Sequence, residues 1–153
     1  MWEIKILTVG KTRNKAIAEE IRRLLSHISD GWRISFDNVA IAEKKDISAR
    51  TKDETLFLLS KIPKNCNAYF LSCEGKEYDS ENFSNVLKKH KDLGEKVCFI
   101  IGGAYGLERS LLPKNGKLVS LSKMTFSHEM ALLVLVEQIY RAYTVYNNIP
   151  YAK

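Results

Sequence analysis

Three short stretches carry residues able to hold a ligand through main-chain and small polar groups. They are Leu71-Ser72-Cys73-Glu74-Gly75-Lys76, Gly102-Gly103-Ala104-Tyr105-Gly106 and Leu121-Ser122-Lys123-Met124-Thr125-Phe126. Glycines behind a buried strand let the backbone take positive φ and approach a ligand closely. A tight turn that uses the same glycines for its own sake is the alternative, and spacing leaves both readings open. Further along, Glu137 and Arg141 stand one helical turn apart in the favourable acid-before-base order. They form either an ordinary i,i+4 pair worth roughly 0.2–0.5 kcal/mol or a carboxylate that steadies an arginine facing a phosphate or a base. His128 opens the same segment, beside the Leu121 stretch. It is either a hydrogen-bonded structural histidine at a helix N-terminus or a group that positions substrate or handles a proton. His27 and His90 lie in charged helical surroundings and read as bystanders.

Other chemistries are disfavoured. Gly102-Gly103-x-x-Gly106 departs from the Gly-x-Gly-x-x-Gly dinucleotide fingerprint and falls in the fourth strand–loop unit instead of the first. The P-loop pattern Gly-x-x-x-x-Gly-Lys-Ser/Thr is absent. No pair of histidines or carboxylates shows metal-ligand spacing, so no metal is expected. Cys66, Cys73 and Cys98 are odd in number and contain no Cys-x-x-Cys pair. That argues against a zinc ribbon or a disulfide framework and fits a reducing cytosol. Cys73 and Cys98 lie in or beside apolar runs and read as small hydrophobes, and a structural role is favoured over a catalytic one for all three.

Strand-like and helix-like segments alternate to place these residues. Trp2 to Val9 reads as a strand ended by Gly10, and 14 to 29 as a helix through Ile17, Ile21, Leu24, Leu25 and Ile28. Trp32 to Ile41 is strand-like. Ser48 to Lys61 reads as a helix with Ser48 as cap and Leu56, Leu59 and Ile62 on one side, stopped by Pro63. Residues 68 to 71 form a short strand running into the polar turn Glu74-Gly75-Lys76, and Ser80 to His90 a helix that Ser80 can cap. Val97 to Ile101 is uninterruptedly apolar, as expected of a strand covered on both faces. An irregular stretch with Pro113, a strand at Lys117 to Leu121 and a long helix from Ser127 to Tyr146 complete the chain. This alternation predicts an α/β fold with a mostly parallel sheet and helices on both faces, in a single domain over residues 1–153. In such a sheet, ligands bind beyond the carboxyl ends of the strands, where the three stretches fall. The final helix is apolar on every side from Met130 to Val136, which requires burial in the core or against a partner subunit.

The bulk properties agree. The chain has 153 residues, 45% of them hydrophobic and 27% charged, as in an ordinary globular domain. No apolar stretch approaches the length of a bilayer span, and the N-terminus lacks a basic head followed by an apolar core, so neither membrane insertion nor export is expected. The net charge of +6 favours a polyanionic partner, with lysines and arginines grouped at Lys11 to Lys15, at Arg22-Arg23 and at Lys88 to Lys91.

Several of these stretches together resemble the bacterial RlmH family, the large-subunit ribosomal RNA (pseudouridine-N3) methyltransferases of the SPOUT superfamily. The resemblance lies in Phe99 to Leu107, in Ser120 to His128, in Glu137-Gln138-Ile139-Tyr140-Arg141-Ala142 and in Pro150-Tyr151. It also covers Ile4 to Lys11, the Glu74-Gly75-Lys76 turn and Ser80-Glu81-x-Phe83, and so spans the whole chain.

The resemblance implies a SPOUT-like domain with a C-terminal trefoil knot, a cytoplasmic homodimer and S-adenosyl-L-methionine as methyl donor. Ribosomal RNA in the assembled ribosome is the implied partner, and N3 of a pseudouridine in 23S RNA the implied acceptor. Carried over by position, the cofactor contacts are Leu71, Gly102, Gly103 and Leu121, Ser122, Lys123, Met124, Thr125 and Phe126. His128, Arg141 and Tyr151 are the implied catalytic group that binds and orients the base. The family commonly ends Pro-Tyr-His, where this chain has Pro150-Tyr151-Ala152-Lys153, and Leu132 stands where the family commonly has arginine. These departures leave two alternatives: a non-catalytic homologue that binds the ribosome, and a SPOUT methyltransferase acting on another RNA such as tRNA.

Overall fold

The computed structural model describes residues 1–29 and 31–151. In chain order the elements are β1 (Trp2–Val9), α1 (Lys15–Ser26), β2 (Trp32–Val39), α2 (Ile47–Ser60), β3 (Cys66–Glu77), α3 (Ser80–Asp92), β4 (Lys96–Ile100), a 3-10 turn (Arg109–Leu111), β5 (Lys117–Ser120) and α4 (His128–Tyr146). The strands form one sheet in the order β2-β1-β4-β3-β5, and every pairing is parallel.

Alternation along the strands sorts the side chains onto two covered faces. Trp2, Ile4 and Ile6 of β1, with Val97 and Phe99 of β4, pack under residues of α1, α3 and α4 such as Leu24, Leu87 and Ile139. Leu7 and Val9, with Cys98 and Ile100, turn to the other face and meet Leu58 of α2 and the partly buried Leu107 and Leu112. The apolar run of β4 is therefore buried on both sides, and the α/β architecture with helices on both faces holds.

Local details differ from the sequence reading for identifiable reasons. Aspartates, not serines, cap the second and third helices: Asp46 accepts from the Ala49 N–H at 2.8 Å and Asp79 from the Asn82 N–H at 2.7 Å. A carboxylate gains from the positive end of the helix as well as from the hydrogen bond. Ser80 is thereby free to donate to Gln138 on α4 at 2.7 Å. On α2, Leu56 is exposed and Leu58 fully buried, because Glu54 and Thr55 occupy inward positions with polar partners. β3 does not stop at residue 71. It resumes after an irregularity between Leu71 and Lys76, and Lys76 and Glu77 pair with Val119 and Ser120.

His90, in its charged stretch of α3, is buried: its Nε2 is 2.6 Å from the Tyr69 hydroxyl and its Nδ1 2.7 Å from Glu95. Cys98 is buried as expected of a small hydrophobe and Cys66 half-buried, whereas Cys73 is exposed, because it lies on the irregular part of β3 that faces a cleft. Consecutive strands β4 and β5 are not neighbours but flank β3. Because all three run parallel, their carboxyl ends lie on the same side of the sheet.

Candidate active site

The irregular part of β3 and the stretches that follow β4 and β5 line one cleft of about 590 Å³. That is within the usual size of a small-molecule site, roughly 300–1,000 Å³. Of the residues implied as cofactor contacts, Leu71, Gly102, Gly103, Leu121, Ser122, Met124, Thr125 and Phe126 line it. Lys123 does not: its side chain is 86% exposed and lies 3.7 Å from Glu77, leaving only its main chain for the cleft. His128, the first residue of α4, lines the cleft as well.

The floor of the cleft is built from backbone. At Gly102 a Cβ would fall 2.5 Å from the carbonyl carbon of Gly106, so only glycine allows the two chain segments to close on each other. The Gly103 carbonyl accepts from the Gly106 N–H at 3.0 Å and fixes the turn. Ser122 and Ser120 organise the other wall: the Ser122 hydroxyl accepts from the Met124 N–H at 3.0 Å, and the Ser120 hydroxyl donates to the Ser122 carbonyl at 2.8 Å. The Met124 side chain is 75% exposed at the mouth. Main-chain polar groups beside apolar Leu71, Leu121, Met124 and Phe126 suit a purine nucleoside carrying a polar amino-acid tail, so the residues fit S-adenosyl-L-methionine.

Sequence reasoning missed the support behind this wall. Glu54 of α2 is only 4% exposed, and its Oε2 lies 2.6 Å from where a Cβ on Gly103 would stand. Its Oε1 accepts from the Arg50 Nε at 3.0 Å, and the Arg50 guanidinium sits over the Tyr105 ring, 5.7 Å from its centre. The Thr55 hydroxyl accepts from the Glu108 N–H at 2.9 Å. α2 thus grips both ends of the 103–108 turn. In the sequence, Lys52-Asp53-Glu54-Thr55 resembles any solvated helical face, and nothing there marks the two inward residues. Arg109 and Glu74, both lining the cleft, form an exposed ion pair across its mouth.

Arg141 and Tyr151 are brought together, but not with His128. Arg141 donates to Glu137 Oε1 at 2.8 Å, and the Tyr151 hydroxyl donates to the same oxygen at 3.2 Å. The Arg141 guanidinium lies over the Tyr151 ring, 4.8 Å from its centre, and Tyr140 meets that ring edge-on at 4.9 Å. Desolvation, then the neighbouring Glu137 charge and hydrogen bond, raise the Tyr151 phenol above its ordinary range, against the opposing pull of Arg141. Thirteen residues of helix put this cluster about 20 Å along α4 from His128. Leu132 is 6% exposed in the core, so it faces no substrate within the chain. Ala152 and Lys153 lie outside the described residues. Among the described residues no group of three or more His, Cys, Asp or Glu could hold a metal, and no helix is long and apolar enough to cross a membrane.

Residues 2–152 match the family described as "Predicted SPOUT methyltransferase". The chain is 38% identical to the ribosomal RNA large subunit methyltransferase H of Acholeplasma laidlawii over 99% of each chain. It is 39% identical to the protein of the same name from Mycoplasmopsis synoviae, covering 98% of this chain and 99% of that one. With the Flavobacterium johnsoniae protein of that name it shares 36% identity over 97% of each. Among solved structures, a methylase family protein from Neisseria gonorrhoeae shares the fold with a TM-score of 0.52 at 12% identity, covering 99% of this chain and 87% of that one. The chain belongs to the SPOUT methyltransferase family and, within it, to the ribosomal RNA large subunit methyltransferase H group.

Proposed function

We propose that the protein is a cytoplasmic S-adenosyl-L-methionine-dependent methyltransferase that modifies N3 of a pseudouridine in 23S ribosomal RNA of the assembled ribosome. In this reading residues 1–153 are one domain, knotted near the C-terminus as the family resemblance implies, and work as a homodimer. The observation that carries it is the convergence of three main-chain-rich loops on one cleft in a chain of this family.

When bound, the cofactor supplies an electrophilic methyl group on its sulfonium. The chain holds it through the backbone of Gly102, Gly103 and the 121–126 loop, with Leu71, Leu121, Met124 and Phe126 against the adenine. In this reading His128, which lines the cleft, takes the N3 proton. Tyr151, its phenol raised, stays protonated near neutral pH and acts as a hydrogen-bond donor, not a base. Arg141, steadied by Glu137, orients the base or its phosphate.

A second copy removes the 20 Å gap. Met130 is 41% exposed and Val134 half-buried, on the stripe of α4 that runs from the cleft to Glu137 and Arg141. An antiparallel pairing of two α4 helices about a two-fold axis near residues 134–135 sets Arg141 of one copy beside His128 of the other. Calorimetric titration with S-adenosyl-L-methionine, together with nucleoside profiling of 23S RNA and tRNA from a strain lacking the protein, tests the reading. The expected result is one cofactor per chain and loss of a single methylated pseudouridine from 23S RNA. Loss of a tRNA modification instead contradicts it.

A further inference from the structure

We propose that the segment from Lys11 to Lys15, the end of the β1–α1 loop and the first residue of α1, is a phosphate-binding lip of the cleft that holds the backbone of the RNA strand entering it. The proposal rests on the reading of the protein as an RNA-modifying enzyme and names the surface that reading left unassigned. Its starting point is Glu129, the second residue of α4 and the neighbour of His128. One oxygen of its carboxylate accepts the main-chain N–H groups of both Arg13 and Asn14, the latter at 3.1 Å. The loop is thereby fastened to the rim of the cleft, across more than a hundred residues of sequence. Its other end is fixed by Asn14, whose side chain caps α1 by accepting from the Ile17 N–H at 3.2 Å.

This arrangement uses the polar main chain of the loop and turns its charged side chains outward. Lys11, Arg13 and Lys15 are exposed, and none has an ion-pair partner among the described residues. Other cations near the cleft are neutralised: Arg109 by Glu74 and Lys123 by Glu77. Glu129, the acid that touches the loop, is engaged with its backbone N–H groups. At the mouth, the ring of Tyr105 is substantially exposed and lines the cleft. Fixed cations with an exposed aromatic ring at the same cleft are what a single RNA strand needs, phosphate on one and splayed base on the other. An acidic peptide would use the cations and leave the ring without a role.

The test compares two triple variants of the full chain with the same change in net charge. One is Lys11→Gln, Arg13→Gln, Lys15→Gln. The other is Lys61→Gln, Lys64→Gln, Lys96→Gln, exposed lysines near the amino ends of β3 and β4, away from the cleft. Binding to 70S ribosomes, to a short single-stranded RNA and to poly-glutamate is measured across a salt series, with melting temperature and S-adenosyl-L-methionine affinity as controls. The lip variant is expected to bind both RNA probes about tenfold more weakly at moderate salt. Its salt slope should be shallower by about 2, as losing three phosphate contacts on a single strand requires. Cofactor affinity and melting temperature should be unchanged, and the distal variant should bind RNA as the wild type does. Equal losses in both variants, no loss in either, or a loss for poly-glutamate as large as for RNA overturns the lip. Wild-type protein that binds RNA through the lip but methylates no ribosomal RNA overturns the ribosomal reading and leaves the lip standing.

Discussion

Tyr151 donates its hydroxyl to Oε1 of Glu137 at 3.2 Å, tying the C-terminal segment back onto α4. The same oxygen accepts Arg141, so one carboxylate sets both the arginine and the tyrosine. Within one chain the cluster lies about 20 Å along α4 from His128, so the proposed base-orienting and cofactor-holding groups can be changed one at a time.

Arg141→Ala should leave S-adenosyl-L-methionine affinity unchanged and reduce methyl transfer. A charged hydrogen bond contributes roughly 1.5–3 kcal/mol, or about 10- to 100-fold in rate. Tyr151→Phe, which keeps the ring under the guanidinium, should cost about tenfold or less. Single-turnover methylation of ribosomes measures both. A parallel loss of cofactor affinity would place the cluster in the cofactor site instead.

Gly102→Ala should do the reverse. Its added methyl meets the backbone of Gly106, which cannot move aside as a side chain could. Cofactor affinity should fall by at least about tenfold, with a loss of roughly 1–3 kcal/mol in stability from overpacking. Calorimetry and urea unfolding separate the two effects.

Arg50→Ala leaves Glu54 buried without its cation. The expected cost is about 1–3 kcal/mol, reduced because the Arg50 side chain is itself partly exposed. Because Glu54 backs Gly103, cofactor affinity should fall as well, and Arg50→Lys should recover part of both. Full cofactor affinity in the alanine variant would show that α2 does not shape the cleft wall.

Burial pushes the Tyr69 phenol up to about 12, above the ordinary value near 10. The folded chain keeps a proton that the unfolded chain releases, so this contribution is complete below pH 10 and is lost as the pH rises toward 12. The melting temperature should fall more steeply across that window in the wild type than in Tyr69→Phe. At neutral pH the phenylalanine variant should be less stable by roughly 1–3 kcal/mol, having left the buried Nε2 of His90 without its partner while Glu95 stays on Nδ1.

Much of this was legible in the sequence. The alternation of elements predicted the layers, because burial on both faces leaves an apolar run such as Val97 to Ile101 and burial on one face leaves alternation. The cleft was visible as three loops with glycine or serine after strands. What stayed hidden depends on crossings that no local pattern encodes. The pairing of Lys76 with Val119 extends β3 beyond its polar turn only because β5 lies alongside. Glu54 points inward only because Gly103 presents no side chain. His90 looked exposed among lysines, and its partners Tyr69 and Glu95 come from other segments. The resemblance grouped Arg141 with His128, yet helical rise separates them within one chain.

The most direct test of the central claim is transfer of labelled methyl groups from S-adenosyl-L-methionine to 70S ribosomes from a strain lacking the family's enzyme. The expected result is close to one methyl per ribosome, located in 23S RNA as N3-methylpseudouridine. No incorporation by protein that binds the cofactor normally would contradict it.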